Sequence, residues 1–362
     1  MKITHEVLTL TTTHPFIIAR GGQSKWRTLV VQVTDKDGIE GWGEAAPSGL
    51  YGETVDSNIA VLERFRPIVE EADSWSIEAL EAAMHKSIAG NGALKSAISA
   101  AVHDIIGKRL GIPLWKLWGL DPKAAPNSSF TIGIAPDIAT TRARVREASG
   151  YPILKVKLGS DRDRQIITAV REEAPAKIIR VDANCAWTPK HTLDMIPMLK
   201  ELGVEFVEQP LPGHDLAGMK FVRDRSALPI IADESCVTSR DIKNLVGVVD
   251  GINIKVAKCG GLGEAIKMVH IARAFDMIVM TGCMIESSLG ITAAAHFAPA
   301  ARRGGHGRGG AGDGRSVQGR DDRQRRDDPA GRSGTGRHTA LARMGGLRLA
   351  AVALPEIGRA HV

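Results

Sequence analysis

Leu154-Lys155-Val156-Lys157-Leu158-Gly159 is an apolar strand with two lysines on one face, because side chains alternate across a strand and residues two apart share a side. An ammonium beside a second ammonium is harder to keep protonated, so one of the pair can act as a base near neutral pH. Moving a lysine from about 10.4 to about 7.5 costs its charged form roughly 4 kcal/mol. By itself the hexapeptide also fits a solvated strand end. The segments that follow it favour chemistry.

From Asn127 onward, short apolar strands alternate with amphipathic helical stretches. Strands are expected at Ser129–Ile134, Ile153–Leu158, Lys177–Ala183, Glu205–Gln209, Ile230–Asp233, Gly251–Lys255 and Met277–Thr281. The polar residues that end them recur at near-constant spacing: Lys157, Asp182, Glu208, Asp233 and Lys255 are 25, 26, 25 and 22 residues apart. A repeat of that size without hairpin turns implies parallel strands joined by crossover helices. A closed (β/α) barrel fits best, and its active site lies where the strands end.

Working back toward the N-terminus, strands are expected at Ile3–Thr12, Arg27–Thr34 and Ile39–Ala45, the last two joined by the turn Asp35-Lys36-Asp37-Gly38. His14–Lys25, with Arg20 and paired glycines, and Ala46–Glu53, rich in Pro and Gly, are expected to be loops able to cover a site. Helical periodicity runs from Val55 to Leu117, with Leu94, Ile98, Val102 and Ile106 at helical spacing and Gly111-Ile112-Pro113 as the stop. The expected organisation is an α+β capping domain over 1–122, a (β/α) barrel, or modified TIM barrel, over 123–300, and an aberrant Arg/Gly-rich segment over 301–362.

Three of the barrel strands end on carboxylates: Asp182 in Val181-Asp182-Ala183-Asn184, Glu208 in Val207-Glu208-Gln209-Pro210, and Asp233 in Ala232-Asp233-Glu234-Ser235. Singly, each could cap a helix or pair with a cation. Together, at one barrel mouth, three hard oxygen ligands suit Mg²⁺ and leave positions for water and a substrate oxygen. Lys157 precedes these strands and Lys255 follows them, on strands two and six of a barrel of eight, so a substrate at the cation would lie between two amines. One amine could remove a proton from carbon and the other return a proton to the opposite face. Lys258 is expected to be solvated. The chemistry implied is proton abstraction α to a carboxylate, where neutralising the developing charge is the main difficulty.

At 362 residues the chain can build a large core and two domains. The N-terminal stretch Met1–Phe16 has no apolar signal region, and no apolar run approaches about 20 residues, so a cytoplasmic protein without a membrane partner is expected. The four cysteines are scattered and are expected to be small buried residues. The net charge of +6 sits in the tail, where thirteen arginines, no lysine and six acids give +7 from Ala301 on and leave −1 for residues 1–300. Nothing in the body therefore calls for nucleic acid.

The chain resembles the enolase superfamily, in the muconate-lactonizing-enzyme-like branch with Lys-x-Lys on strand two. Within it the chain is most similar to the dipeptide epimerases that interconvert L-Ala-L-Glu and L-Ala-D-Glu. The resemblance covers residues 1 to about 300. Besides the motifs above it rests on Pro15-Phe16-Ile17-Ile18-Ala19-Arg20-Gly21, Ser128-Ser129-Phe130-Thr131-Ile132-Gly133, Cys259-Gly260-Gly261-Leu262, and Gly282-Cys283-Met284-Ile285-Glu286-Ser287-Ser288-Leu289-Gly290. It implies Mg²⁺ ligands at Asp182, Glu208 and Asp233, and acid/base catalysts at Lys157 and Lys255. It further implies substrate contacts at Lys155, Arg20, Thr131 and Glu286, with Arg20 placed to meet an acidic substrate side chain. A homo-oligomer is the family expectation. The same machinery would serve o-succinylbenzoate synthase, N-succinylamino acid racemase or a cycloisomerase.

One departure is plain. Such epimerases hold the substrate α-ammonium with Asp-x-Asp on strand eight, and this sequence has no such motif. From Arg302 to Arg337 it is a run of Gly, Arg, Asp and Ser that cannot form a buried strand. The eighth βα unit is thus expected to be replaced, by an out-of-frame translation or by divergence. A different class of function, a catalytically dead protein or one that binds through its arginine tail, follows if that replacement disables the barrel.

Overall fold

The structure, a computed structural model, describes residues 1–301. The expected replacement of the eighth βα unit, and the Arg-rich tail with it, lie outside the described residues.

The chain begins as a three-stranded antiparallel sheet in the order β1-β2-β3, with β1 at Lys2–Ile18, β2 at Gly21–Thr34 and β3 at Glu40–Ala45. The turn into β3 forms as its sequence requires, with the Asp35 carboxylate accepting from the backbone N–H groups of Asp37 and Ile39 at 2.9 and 3.0 Å. His14–Lys25 is not the loop expected. It is the far end of a long β1–β2 hairpin, irregular between Thr11 and Phe16 and paired again from Phe16↔Gln23 to Ile18↔Gly21. The paired glycines that suggested a loop instead make a tight reversal around Ala19 and Arg20. Ile17 at that end accepts a hydrogen bond from the Ile134 N–H at 2.9 Å, which ties the hairpin to the parallel sheet.

Four helices follow, α1 at Val55–Glu71, α2 at Ile77–Ser87, α3 at Gly92–Leu110 and α4 at Leu114–Leu117. A capping box between Thr54 and Ser57 starts α1. Nearly all of α3 is buried, which its small residues permit. Its backbone lies so close to β3 that a side-chain carbon at Gly41 or Gly43 would meet the carbonyl oxygens of Ala101 or Ala97 at 1.9 Å.

The remainder alternates. Strands β4 (Ser129–Ile132), β5 (Ile153–Lys157), β6 (Ile178–Asp182), β7 (Val204–Glu208), β8 (Ile230–Ala232), β9 (Gly251–Ile254) and β10 (Ile278–Thr281) pair in parallel in sequence order. Between them run α5 (Ile138–Glu147), α6 (Asp163–Glu173), α7 (Pro189–Glu201), α8 (Leu216–Arg223), α9 (Ser239–Leu245), the single turn α10 (Val256–Cys259) and α11 (Leu262–Ala274); α12 (Ser288–Phe297) follows β10. All seven expected strands form, each within two residues of its expected start and end. Among the described residues the barrel sheet has seven strands, with β4 and β10 at its edges. It nevertheless curls, since the turn Pro122–Ala124 ahead of β4 packs against Ala298–Ala301 beyond α12. Among the described residues two apolar cores result, one between the antiparallel sheet and α1–α3 and one inside and around the curled sheet. Among the described residues no helix is long and apolar enough to cross a membrane.

Candidate active site

The strand register lines up the polar residues that the sequence spacing picked out. Lys157 pairs with Asp182, Asp182 with Glu208, and Thr131 with Lys155. Asp233 follows the last residue of β8, and Lys255 the last residue of β9. All of them therefore emerge at the C-terminal mouth of the sheet, facing its interior. One carboxylate oxygen from each of Asp182, Glu208 and Asp233 lies within 4.8 Å of the others, and all three residues are fully buried.

Such a cluster is tolerable only with cations against it. Lys155 Nζ lies 2.9 Å from Asp182 Oδ2 and donates to Glu208 Oε1 at 2.8 Å. Lys157 Nζ donates to Asp182 Oδ2 at 2.7 Å, and Lys255 Nζ to Asp233 Oδ2 at 2.7 Å. The carboxylate row is thus flanked by Lys157 at one end and Lys255 at the other, while Lys155 bridges its middle.

These environments drive the lysines apart. Burial lowers Lys157 by more than the neighbouring Asp182 carboxylate raises it, and the Lys155 ammonium adds a smaller lowering. The sequence had assigned that shift to Lys155 alone; burial is the larger cause. Burial lowers both Lys155 and Lys255, but it is outweighed by Asp182 and Glu208 together for the first and by Asp233, Glu234 and Glu208 together for the second, so both are held above the ordinary lysine value. Burial and then the neighbouring Asp182 push Glu208 up to about 7. Asp182 and Asp233 stay well below the ordinary aspartate value, burial notwithstanding, because Lys155 and Lys157 face the first and Lys255 and Lys258 the second.

The donor set suits a hard cation. It offers three carboxylates and no sulfur or imidazole, and Glu208 Oε2, although 2.7 Å from Lys155 Nζ, makes no hydrogen bond. The residues present therefore fit Mg²⁺, which takes oxygen ligands and retains places for water or substrate.

The expected substrate contacts divide. Arg20, at the hairpin tip, reaches the mouth, where its Nη1 donates to the Asn184 carbonyl at 2.6 Å and its Nη2 to Glu234 Oε1 at 2.8 Å. The second cover loop also arrives: the Tyr51 phenol is held above its ordinary value by burial and by Asp233 and Glu234. Thr131 lies beside Lys155 in register on the edge strand. Glu286, beyond β10, accepts from the Met284 N–H at 2.9 Å, and burial, with Glu44 adding, pushes its carboxyl up to about 7.

Three residues of the site were missed or misjudged in the sequence. Lys258, expected in solvent, is fully buried against Asp233, because the one-turn α10 folds its side chain back under the mouth. Asn253 donates from Nδ2 to Glu208 Oε1 at 2.8 Å. Gln209, at φ +34°, accepts from the Asp233 and Ser235 N–H groups at 2.9 and 3.1 Å and donates to Leu211 O and Ser235 Oγ at 2.8 Å each. Its adjacency to Glu208 in Glu208-Gln209-Pro210 was the one available signal. Of the cysteines, only Cys236 and Cys259 are buried as expected; Cys185 is half-buried and Cys283 exposed, since both lie in loops at the mouth rather than in a core.

Residues 2–119 match the family described as mandelate racemase / muconate lactonizing enzyme, N-terminal domain, and residues 137–331 match the family described as enolase C-terminal domain-like. An L-Ala-D/L-amino acid epimerase from Maribacter sp. (strain HTCC2170 / KCCM 42371) is 40% identical over 299 residues, 83% of this chain and 87% of that protein. An L-Ala-D/L-Glu epimerase from Bacteroides thetaiotaomicron is 39% identical over 303 residues, 83% of this chain and 78% of that protein. The crystal structure of a dipeptide epimerase from Enterococcus faecalis V583, complexed with Mg and the dipeptide L-Leu-L-Tyr, superposes with a TM-score of 0.80 at 33% identity, covering 83% of this chain and 87% of that one.

Proposed function

The chain belongs to the mandelate racemase/muconate lactonizing enzyme family of the enolase superfamily, and from that membership we propose that it is a Mg²⁺-dependent dipeptide epimerase acting on L-Ala-L/D-Glu-type substrates. The observation that carries this reading is the arrangement of Lys157 and Lys255 at opposite ends of the Asp182–Glu208–Asp233 row, each 2.7 Å from an outer carboxylate. A carbon held over the row has an amine on either side.

The charges point to an anionic ligand. With Lys157 neutral, Lys155, Lys255 and Lys258 balance the three carboxylates they contact, so a bound Mg²⁺ would leave the mouth with an excess of positive charge. A dipeptide carboxylate answers that excess. Lys155, the lysine kept most firmly charged on this side, is the group we assign to hold it. Arg20 is assigned to the acidic side chain, reaching in from the hairpin tip. Thr131 and Glu286 are assigned to the walls, and residues 1–122 to the cover.

Bound Mg²⁺, held by Asp182, Glu208 and Asp233, supplies fixed positive charge where the substrate carboxylate gains a second negative charge. Lys157, lowered by burial, takes the α-proton as the neutral amine; Lys255, kept protonated, delivers a proton to the opposite face. In the reverse direction the two exchange roles. General acid–base assistance of this type contributes about 10²–10⁴-fold each.

The test is incubation of the full chain with Mg²⁺ and L-Ala-L-Glu, L-Ala-L-Leu or L-Leu-L-Tyr, with the epimers separated by chiral chromatography. Appearance of L-Ala-D-Glu, faster than the epimer of either neutral dipeptide, supports the assignment. Turnover of the neutral dipeptides only would keep the epimerase and remove the acidic substrate.

A further inference from the structure

Lys258 differs from the other three lysines at the mouth. Its side chain is wholly enclosed, whereas Lys255 keeps 12% of its side chain accessible. An ammonium has three N–H donors, and Lys258 uses all of them: on Asp233 Oδ1 at 2.7 Å, on the Asp233 carbonyl at 2.6 Å and on the Asn253 carbonyl at 2.9 Å. Lys255 uses one, on Asp233 Oδ2. With no free donor and no open face, Lys258 cannot exchange a proton with a substrate.

It grips one residue at two places, backbone carbonyl and carboxylate. Gln209 holds the same residue at its N–H. Between them Lys258 and Gln209 hold the N–H, the carbonyl and Oδ1 of Asp233, and Oδ2 is left to Lys255. The grip also extends to the middle of the row, because Asn253, whose carbonyl is the third partner of Lys258, donates from its side chain to Glu208.

The helical turn that carries Lys258 is braced from the capping side. Gly92, the first residue of α3, lies so close that a side-chain carbon there would be 2.4 Å from the Lys258 carbonyl oxygen. Beyond the turn, the Leu262 N–H donates to Ser99 Oγ at 3.0 Å, and Ser99 Oγ donates to Glu81 at 2.6 Å.

We propose that Lys258 is a positioning residue for the cation site, locking Asp233 so that only Oδ2, the oxygen it shares with Lys255, is left to a cation, and that it thereby sets the affinity for Mg²⁺ without touching the substrate. This rests on the assignment of the carboxylate row to Mg²⁺. Groups that orient ligands from behind usually change metal affinity by roughly 10- to 100-fold when removed.

The test is calorimetric titration of Mg²⁺ into the full-length wild type, K258M and K258R, each first shown to melt cooperatively. The expected result is a loss of affinity in that range for K258M and a smaller loss for K258R, whose planar fork restores the charge but not the three-way grip. The activity lost in K258R should return as Mg²⁺ is raised while its folded fraction, followed by circular dichroism, stays constant, which separates weakened ligation from a general loosening of the fold that Mg²⁺ would also reverse. If K258M does not fold, K258R decides on the same criterion. Wild-type affinity in either folded variant, or an activity deficit that excess Mg²⁺ does not restore, overturns the proposal. No Mg²⁺ binding by the wild type would instead overturn the cation-site assignment beneath it.

Discussion

Lys155 and Lys157 share one oxygen: their ammoniums lie 2.9 and 2.7 Å from Oδ2 of Asp182. The two are not equivalent, because Lys155 is also within 2.8 Å of both Glu208 oxygens, whereas Lys157 has Asp182 alone. One lysine belongs to the framework of the charge cluster, and the other is attached at its rim.

That difference should be measurable as stability. Without Lys155, Glu208 is a buried carboxylate with no ammonium in contact, an arrangement that typically costs about 3–5 kcal/mol. Without Lys157, Asp182 still has Lys155 and the Asn184 N–H at 2.9 Å. Urea melts in metal-free buffer should therefore show Lys155→Met more destabilised than Lys157→Met, by at least about 1 kcal/mol. Equal losses would mean that the bridge to Glu208 contributes nothing.

Cation binding should stabilise the fold, because the unfolded chain has no assembled row of carboxylates. At 100 times the dissociation constant, Mg²⁺ should add about 2.7 kcal/mol, read as an upward shift in Tm that EDTA reverses. Glu208→Gln, which keeps the shape and removes a ligand charge, should abolish most of the shift. A full shift in that variant would place the ion elsewhere.

Arg20 offers the discriminating test of the substrate. A hydrogen bond to a charged group contributes about 1.5–3 kcal/mol, so Arg20→Met should lower kcat/KM for L-Ala-L-Glu by about 10- to 150-fold and that for L-Ala-L-Leu far less. A uniform fall for both would reduce Arg20 to a brace, which its bonds to Asn184 and Glu234 could equally provide.

A pH-dependent contribution to stability sits far from the mouth, in the β2–β3 turn. Burial opposes the Asp35 charge, but the N–H groups of Ile39 and Asp37 and the Arg109 guanidinium outweigh it and hold the carboxyl below its ordinary 3.8. A carboxyl depressed in the folded state contributes stability that is present above its unfolded value and is lost as pH falls through the folded one. Asp35→Asn should therefore lower Tm at pH 7, and the gap should close only below pH 3.8. A gap that stays constant into acid would show that the hydrogen bonds matter and the charge does not.

The spacing of Lys157, Asp182, Glu208, Asp233 and Lys255 was sufficient to find the strands and to gather these side chains at one mouth, because a βα repeat returns the chain to the same end of the sheet each time. Lys258 was not legible. It is three residues beyond Lys255, and nothing in a sequence says that a one-turn helix will fold its side chain inward to a carboxylate on the neighbouring strand. The hairpin end around Arg20 was misread for a related reason: two glycines mark a reversal, but whether the chain then pairs with itself depends on the register set ten residues earlier, in β1 and β2. Asn253 and Gln209 are ordinary polar residues until the strands bring Glu208 and Asp233 beside them.

In the proposed mechanism Lys157 and Lys255 work on opposite faces of one carbon. The most direct measurement is proton NMR in D₂O with Mg²⁺, following the glutamyl α-proton of L-Ala-L-Glu and, separately, of L-Ala-D-Glu, with wild type, Lys157→Ala and Lys255→Ala. The expected result is exchange from both epimers with wild type, no epimerisation with either variant, and α-proton exchange that survives from only one epimer in Lys157→Ala and only from the other in Lys255→Ala. Loss of exchange from both epimers in one variant, with both retained in the other, would contradict it and leave a single lysine to do the chemistry.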